Sequence, residues 1–148
     1  MLYLAVVLDL ASRRVVGWAT DPSLAEALTL RALGVALTLR QPAPGIIHHS
    51  DRGSHYASGK YRALLRQHGF LRSMSRVGNC WDNAVAESFF ATIKKEDGAC
   101  LRRLSRQAAA RAVASYIDGW YNHQRRHATL GYLSPVQYER QLARLVNA

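Results

Sequence analysis

The chain has 148 residues, a length typical of one domain, and it is 49% hydrophobic and 20% charged. These values exclude a disordered or low-complexity protein, and no run of 18 apolar residues predicts a transmembrane helix. Its two cysteines, Cys80 and Cys100, provide neither a disulfide framework nor a CxxC pair.

The net charge is +10, and most of the basic excess lies beyond residue 50. Residues 1–50 contain 4 Lys/Arg and 3 Asp/Glu, whereas residues 51–148 contain 16 and 7. Such a bias favours a polyanionic partner, of which nucleic acid is the most common. A surface charge that serves only solubility is the alternative.

The N-terminal 50 residues predict two strands, a helix and a third strand. Residues 2–9 are apolar without alternation, which indicates a strand covered on both faces. Residues 14–20 predict its hairpin partner, because a tight turn precedes them. Asp21 and Pro22 are typical of a helix start. The helix is predicted to bury one face, which consists of Leu24, Leu28, Val35 and Leu39.

Short strands and helices follow, and then the chain becomes entirely helical. Residues 46–49, with the sequence IIHH, predict a strand. A helix that ends at Gly69 leads to another short strand over residues 70–73. Two longer helices are predicted over residues 82–96 and 105–123. The second of them is expected to bury Ala109, Val113, Tyr116, Ile117 and Trp120.

This order of elements is that of an α/β fold. We expect a single domain over residues 1–148, with a core over residues 1–128. The C-terminal helical extension is expected over residues 129–148, where Ser134 and Pro135 begin a last short helix.

Two acidic residues lie at positions that suit ligand binding. Asp51 directly follows the strand IIHH, and the carboxyl ends of strands are common ligand sites in α/β folds. Glu87 lies on the polar face of the predicted helix 82–96, with Asn83 one turn before it and Lys94 two turns after it. Taken singly, Asp51 is equally compatible with an ordinary Asx turn and Glu87 with a solvated helical residue.

The sequence around both acids resembles a known family. HHSDRGSHY surrounds Asp51, GNCWDNAVAESFFATIKKE surrounds Glu87, and 35 residues separate the two acids. LYLAVVLDLASRRVVGWA at the start and YNHQRRHATLGYLSP near the end extend the likeness over nearly the whole chain. The chain resembles the integrase-like catalytic core of bacterial insertion-sequence transposases of the DDE type, which a second reading frame encodes.

The resemblance implies an RNase H-like fold that cleaves DNA strands and transfers them with two Mg²⁺ or Mn²⁺ ions. Asp51 and Glu87 match the second and third of the family's three catalytic, metal-binding acids. Mg²⁺ prefers oxygen ligands, and two ions about 3.5–4 Å apart can activate the attacking oxygen and stabilise the leaving one. The implied partners are transposon-end and target DNA and further copies of the chain, in the cytoplasm of a bacterium, on its nucleoid.

The family's first catalytic aspartate lies on a strand that precedes the hairpin with which this chain begins. The resemblance therefore implies an N-terminally truncated core, without the central strand between residues 2–9 and the strand IIHH. We expect such a chain to fold poorly or to lack activity by itself, because unpaired buried amides and a two-carboxylate site are both unfavourable. Asp9 is expected to accept hydrogen bonds in the hairpin turn, and its use as a substitute metal ligand stays open.

Several further residues are expected to support the site or to contact DNA. His48 and His49 alternate across their strand, so one of them, His49, is expected to support the site together with Asn83, and zinc ligands with suitable spacing are lacking. Phe89 and Phe90 are expected to pack in the core and not to stack on bases. Basic residues are expected to contact DNA phosphates, namely Arg52, Arg72, Arg76, Lys94, Arg125 and Arg126.

Three functions are compatible with the sequence. The first is the catalytic core of a transposase, and the second is an inactive DNA-binding or oligomerising remnant of one. The third is a stand-alone RNase H-like nuclease, which needs a complete set of acids in one chain.

Overall fold

The computed structural model describes residues 1–50, 54–74 and 84–147. The elements follow the α/β order that the sequence predicts. They are β1 (Tyr3–Leu8), β2 (Val15–Asp21), α1 (Glu26–Arg40), β3 (Ile47–Ser50), α2 (Gly59–Gln67), β4 (Leu71–Met74), α3 (Ala84–Glu96), α4 (Gly98–Leu101), α5 (Arg106–Ala114), a π-helix (Ser115–Tyr121), α6 (Asn122–Gln124), a 3₁₀ turn (Ala128–Leu130) and α7 (Pro135–Val146). Among the residues that the structure describes, no helix combines the length and the apolar composition of a membrane span.

β1 and β2 form the expected antiparallel hairpin, and Asp9 closes its turn. The Asp9 carboxylate accepts hydrogen bonds from the backbone N–H groups of Ala11 and Ser12, at 2.9 and 3.1 Å. Arg13 completes the turn with a φ of 63°. Asp9 therefore has the turn role that the sequence predicts.

The hairpin is covered on both faces, as its unbroken apolar run predicts. Because side chains alternate along a strand, Ala5 and Val7 pack against α1, whereas Val6 and Leu8 pack against the cluster around Phe89. On the α1 side, a Cβ at Gly17 would overlap the carbonyl oxygen of Ala32. Glycine is therefore required where α1 approaches β2 most closely.

The start of α1 differs from the prediction. The helix begins at Glu26, after an N-cap residue, Ala25, that makes no side-chain capping bond. Asp21 instead ends β2, where its carboxylate accepts a hydrogen bond from the Ser23 N–H and pairs with Arg31 at 2.6 Å. The prediction was wrong because an Asx-type contact at a strand end uses the same residue types as a helix cap.

The buried face of α1 is also rotated from the predicted one. Leu28 is buried as expected, but Leu24, Val35 and Leu39 are 54%, 48% and 52% exposed. The close approach to Gly17 selects small residues, so the helix presents a narrower face to the sheet. The buried residues are Leu28, Thr29, Ala32, Leu33 and Ala36.

β3 and β4 form a second, parallel pair, joined by α2. Ser58 caps α2 by accepting a hydrogen bond from the Tyr61 N–H at 3.2 Å. Tyr61 and Leu65 are buried against Leu33 of α1. α1 therefore contacts both pairs of strands.

The two strand pairs do not join into one sheet within the described residues. A cavity of about 870 Å³, here called the inter-sheet cleft, lies between β1 and β3. α1 contributes Leu33, Ala36 and Leu37 to its lining, and the first turns of α3 contribute Val85 and Phe90. β1 and β3 are thus not neighbours, which agrees with the strand order that the family resemblance implies.

The predicted helix over residues 105–123 is interrupted by a π-helix. α5 buries Ala109 and Val113 as expected, and the π-helix buries Tyr116 and Ile117. Trp120, however, is 37% exposed, and Tyr121 is buried in its place with 3% exposure. A π-helix bonds residue i to i+5, so each turn holds more residues than an α-turn and the buried face shifts along the sequence.

The π-helix also brings Asn122 to the start of β2. The Asn122 side-chain oxygen accepts the Val15 N–H at 2.9 Å, and its amide nitrogen donates to the Val15 carbonyl at 3.0 Å. The side chain satisfies both backbone groups as a neighbouring strand would. Both contacts are buried, so Asn122 fixes the helical layer to the hairpin.

α7 begins with a capping box in which Ser134 and Gln137 bond reciprocally. Its Glu139 lies between the hairpin turn and α1. The Glu139 carboxylate accepts hydrogen bonds from the Ser12 hydroxyl at 2.7 Å, from Arg14 at 2.8 Å and from Arg40. This cluster ties the C-terminal helix to the N-terminal hairpin.

Replacing Glu139 by alanine is expected to lower the free energy of unfolding by about 2 kcal/mol at pH 7, because two half-buried arginines lose their acceptor. Burial acts to raise the pKa of Glu139, but hydrogen bonds from Arg40, Arg14 and Ser12 outweigh it and hold that pKa below its usual range. The folded carboxylate is therefore the stronger acid, and its contribution is present above the unfolded pKa and is lost as the pH falls through the folded one.

Urea unfolding at pH 7 and pH 3 measures this contribution. The difference between the unmodified chain and Glu139→Ala should shrink at pH 3. Arg140→Ala, which changes an exposed residue of the same helix, serves as the control and should alter stability by less than about 0.5 kcal/mol. A pH-independent effect of Glu139→Ala would contradict the charge assignment.

Candidate active site and nucleic-acid interface

Glu87 lies in the first turn of α3 and directly follows Val85 and Ala86, which line the inter-sheet cleft. Its side chain is exposed, and it forms no ion pair or hydrogen bond with the described part of the chain. Glu139, Asp21 and Glu96 each pair with arginine. Glu87 is therefore a carboxylate that remains available to a ligand.

β3 ends at Ser50, immediately before Asp51, and it also borders the cleft. The structure thus brings the strand that precedes Asp51 and the helix turn that carries Glu87 to the same cavity. Four of the residues predicted to act here lie outside the described residues. They are Asp51, Arg52, Arg76 and Asn83, and the neighbouring Trp81 and Cys80 lie outside as well.

The two histidines of β3 have different partners. His48 Nε2 contacts the Tyr61 hydroxyl at 2.9 Å, and its ring packs edge-on against Phe70. His49 Nδ1 contacts the Ser73 hydroxyl at 3.0 Å across the parallel register. His48 is therefore a packing residue, and His49 is held by β4 two positions before Asp51. The contact of Ser73 with His49 was not predicted, because only the register of β3 on β4 shows that the two residues are paired.

Burial lowers the pKa of His48 to about 4, and the charges of His49 and Arg72 act in the same direction. His48 is thus neutral at pH 7 and fits the contact with the Tyr61 hydroxyl. Within the part of the chain that the structure describes, no group of three His, Cys, Asp or Glu residues could hold a metal ion. A metal site at the cleft would therefore need ligands from outside that part.

The residues that were predicted to contact DNA differ in their exposure and in their interactions within the protein. Lys94 is exposed near the end of α3, two turns or about 10 Å along the helix from Glu87. Arg126 and Arg72 are also exposed, and Arg72 has an interaction within the protein. Arg125 bonds Glu96 at 3.3 Å and lies 6.0 Å from the centre of the Tyr121 ring. Its side chain therefore has a structural role in the free protein.

Aromatic residues of α3 pack in the interior, as predicted. Phe89 is buried and meets Tyr121 edge-on at a centroid distance of 5.0 Å, and Phe90 packs beside it. Phe89 and Ile93 lie one turn apart and form a buried stripe on the core face of α3. This stripe orients α3 so that Glu87 faces away from the core.

His127 lies in the basic segment that follows α6 and packs edge-on against Tyr121. Its Nε2 is buried without a hydrogen-bond partner in the described structure. Burial lowers the pKa of His127 to about 4, and the positive charges of Arg125 and Arg13 lower it further, against a smaller opposing effect of Glu96.

Replacing His127 by phenylalanine should keep the ring contact and remove this titration. Between pH 6.5 and 4 the unfolded chain binds a proton at His127 that the folded chain excludes, so stability falls as the pH falls. His127→Phe is therefore expected to lose less stability than the unmodified chain between pH 7 and pH 4.5. Thermal unfolding at several pH values checks this, and parallel curves for the two proteins would contradict it.

The sequence matches two family models, both described as an integrase core domain, over residues 1–80 and 68–135. The chain belongs to the integrase core domain family. Curated relatives include an uncharacterised 31 kDa protein of insertion element IS600 from Shigella sonnei, which is 43% identical over 93% of this chain and 50% of the relative. The InsF transposase of insertion sequence IS3fB from Escherichia coli K12 is 44% identical over 95% of this chain and 49% of the relative.

This integrase core chain spans about half the length of the curated relatives it matches. Its fold is similar to that of retroviral integrase cores. The HTLV-2 integrase catalytic core, solved with magnesium in a trimeric form, matches with a TM-score of 0.67 at 15% identity, over 91% of this chain and 82% of that one. The BIV integrase core matches with a TM-score of 0.64 at 18% identity, over 98% and 90%. The RNase H-like fold expected from the sequence is thus confirmed.

Proposed function

We propose that this chain is the catalytic core of a DNA transposase, in which Asp51 and Glu87 bind Mg²⁺ or Mn²⁺ for strand cleavage and strand transfer. The observation that supports this most is the position of Glu87. It is an exposed carboxylate without a partner among the described residues, and it directly follows Val85 and Ala86, which line the cavity that the strand before Asp51 also borders. Titration of the chain with Mn²⁺, with and without each carboxylate, tests the assignment.

Carboxylate oxygens are ligands that Mg²⁺ prefers, and Glu87 and Asp51 would provide them. Bound divalent ions would polarise the phosphodiester and favour ionisation of the attacking hydroxyl. The protein's own contribution is to place the two carboxylates on rigid elements, a strand end and a helix start. His49, fixed by Ser73, would hold the backbone that leads to Asp51, and Asn83 would lie one turn before Glu87.

DNA is the proposed partner, and its phosphates would meet the basic residues beside the cleft. Lys94 and Arg126 are exposed and form no ion pair with the described residues, which leaves them free for phosphate. Arg72, Arg52 and Arg76 complete the proposed set. An assembly of several copies on transposon ends and target DNA, acting in the bacterial cytoplasm on the nucleoid, is proposed from the likeness to the insertion-sequence transposases.

Lys94→Ala tests the DNA contact, and Lys95→Ala is its matched control. Each phosphate contact adds about one unit to the slope of log affinity against log salt. Lys94→Ala is therefore expected to weaken binding to all DNA sequences equally and to lower that slope by about one. Fluorescence anisotropy with a labelled duplex at several salt concentrations measures the slope. An unchanged slope for Lys94→Ala, or an equal loss for Lys95→Ala, would contradict this placement of the DNA.

A further inference from the structure

We infer that Arg102, Arg103 and Arg106, here called the arginine patch, bind phosphates of double-stranded DNA. The patch extends from the end of α4 to the first residue of α5, and none of its members belongs to the DNA contacts proposed above. The inference rests on the proposed function because DNA is its partner. It does not require the proposed metal chemistry.

The side chains of the arginine patch are exposed and available. They form no ion pair or hydrogen bond with the residues that the structure describes. Arg14 and Arg40, in contrast, are both held by the Glu139 carboxylate. A guanidinium group presents five donors in a planar arrangement that suits phosphate oxygens. The patch therefore keeps its donors for an anionic ligand.

The segment that contains the arginine patch has no acidic residue. Residues 98–117 include four arginines and neither Asp nor Glu. Of the two acids that precede this segment, Glu96 bonds Arg125 and the Tyr116 hydroxyl, and Asp97 is only partly exposed. A phosphate at the patch would therefore be attracted by three guanidinium groups and meet little repulsion from the surrounding segment.

The charge of Arg106 does not stabilise the fold. Arg106 is the first residue of α5, and the first turn of this helix contains no acid. The N-terminal end of a helix carries a partial positive charge, so a cation there is unfavourable. Solubility does not account for it either, because a net charge of about 2–8 is sufficient for a small domain and this chain has +10. Binding of an anion would compensate the repulsion.

The spacing of the arginine patch fits the backbone of a DNA duplex. Its members lie within five consecutive residues, so their Cα atoms are at most about 15 Å apart. Each DNA strand carries one phosphate about every 3.4 Å along the helix axis, so each arginine can contact a phosphate of its own. Contacts of this kind position a duplex without reading its sequence.

The arginine patch follows the end of α3 that is remote from Glu87. Glu87 and Glu96 are separated by about 14 Å along the axis of this helix, which corresponds to about four base pairs of DNA. Lys94 lies near the same end of α3 as the patch. A duplex that meets Glu87 and Lys94 and continues past α3 would reach the patch with the base pairs that flank the reacting phosphodiester.

The salt dependence of DNA binding tests this inference. Arg102→Gln/Arg106→Gln is compared with the unmodified chain and with Arg140→Gln/Arg144→Gln, which removes two charges with the same spacing from exposed positions of α7. Fluorescence anisotropy with a labelled duplex gives the slope of log affinity against log salt. The patch variant should lower this slope by about two, because each phosphate contact contributes about 0.9. The α7 variant should lower it by less than about 0.5.

Thermal unfolding of the same variants separates a binding role from a structural one. Arg102→Gln/Arg106→Gln should unfold at an unchanged or slightly higher temperature, because it removes a positive charge from the N-terminal end of α5. Weaker DNA binding by a chain of undiminished stability supports the inference. A lower unfolding temperature would instead assign the arginines to the fold and contradict it.

Three further results would also overturn the inference. The slope is unchanged in the patch variant, or it falls equally in the α7 variant, which indicates a general effect of net charge. In the third result, the patch variant loses as much affinity for poly-glutamate as for the duplex, which assigns the patch to an acidic protein. If Lys94→Ala still lowers the slope by about one, only the patch inference fails, and the proposed function is unaffected.

Discussion

Replacing Glu87 by glutamine is expected to lower the affinity of the chain for Mn²⁺ by about 100-fold or more, because a directly bound carboxylate is lost. Glu87 is exposed and makes no internal ion pair or hydrogen bond with the described residues. The substitution should therefore change the free energy of unfolding by less than about 0.5 kcal/mol. Loss of metal binding in a chain of unchanged stability separates a ligand from a structural residue.

Asp97→Asn is the matched control for this prediction. Asp97 follows α3 at its other end, away from the cleft, and has no salt bridge within the described structure. Its substitution removes the same charge and should leave Mn²⁺ affinity unchanged. Isothermal titration with Mn²⁺ measures both variants. Equal affinities for Glu87→Gln and the unmodified chain would remove Glu87 from the proposed site.

DNA binding should not follow metal binding. In an anisotropy assay with a labelled duplex, Glu87→Gln is expected to leave DNA affinity unchanged, because the carboxylate contributes no attraction to phosphate. Lys94→Ala is expected to show the opposite separation, with weaker DNA binding and unchanged Mn²⁺ affinity.

Replacing Asn122 by leucine is expected to lower the free energy of unfolding by about 2–4 kcal/mol. The N–H and the carbonyl of Val15 would both lose their partner inside the protein, and each buried unpaired group costs about 1–3 kcal/mol. Leucine has the same branching at Cγ but is larger than asparagine, so the loss comes from unpaired hydrogen-bonding groups and some crowding, and not from a cavity.

Urea unfolding checks this value, and Gln124→Ala in the same short helix is the control. Gln124 is exposed, so its substitution should cost less than about 0.5 kcal/mol. Asn122→Asp should also lower the free energy of unfolding. The carboxylate keeps the acceptor for the Val15 N–H but places a charge in a buried position. A cost below about 1 kcal/mol for Asn122→Leu would show that Val15 finds another partner.

Local patterns account for the elements that the sequence predicted well. The unbroken apolar run of residues 2–9 predicted a strand with cover on both faces, and α1 and α3 provide that cover. Ser134 followed by Pro135 predicted the start of α7, because cap and first-turn preferences act within a few residues. The long motifs around Asp51 and Glu87 led to the RNase H-like fold.

Contacts between distant residues account for what the sequence did not predict. The buried face of α1 depends on Gly17 in another element, and the exposure of Trp120 depends on a π-helix that propensities do not reveal. Glu139 meets Arg14 and Arg40 over 125 and 99 residues of sequence. No local pattern marks such pairs, because they exist only after the helices pack.

The candidate site also combines features that the sequence predicted with features that it did not. The sequence predicted that His48 and His49 lie on opposite faces, because neighbouring side chains of a strand alternate between the two faces. The availability of Glu87 and the engagement of Arg125 with Glu96 required the structure, because charged residues look equivalent in a sequence.

Anomalous diffraction from crystals of the chain grown with Mn²⁺ would show whether Asp51 and Glu87 bind the same ion. We expect a Mn²⁺ peak bonded at about 2.0–2.3 Å to carboxylate oxygens of both residues. A peak bonded to neither residue, or carboxylates more than about 10 Å apart, would contradict it, since one cation cannot bridge that distance.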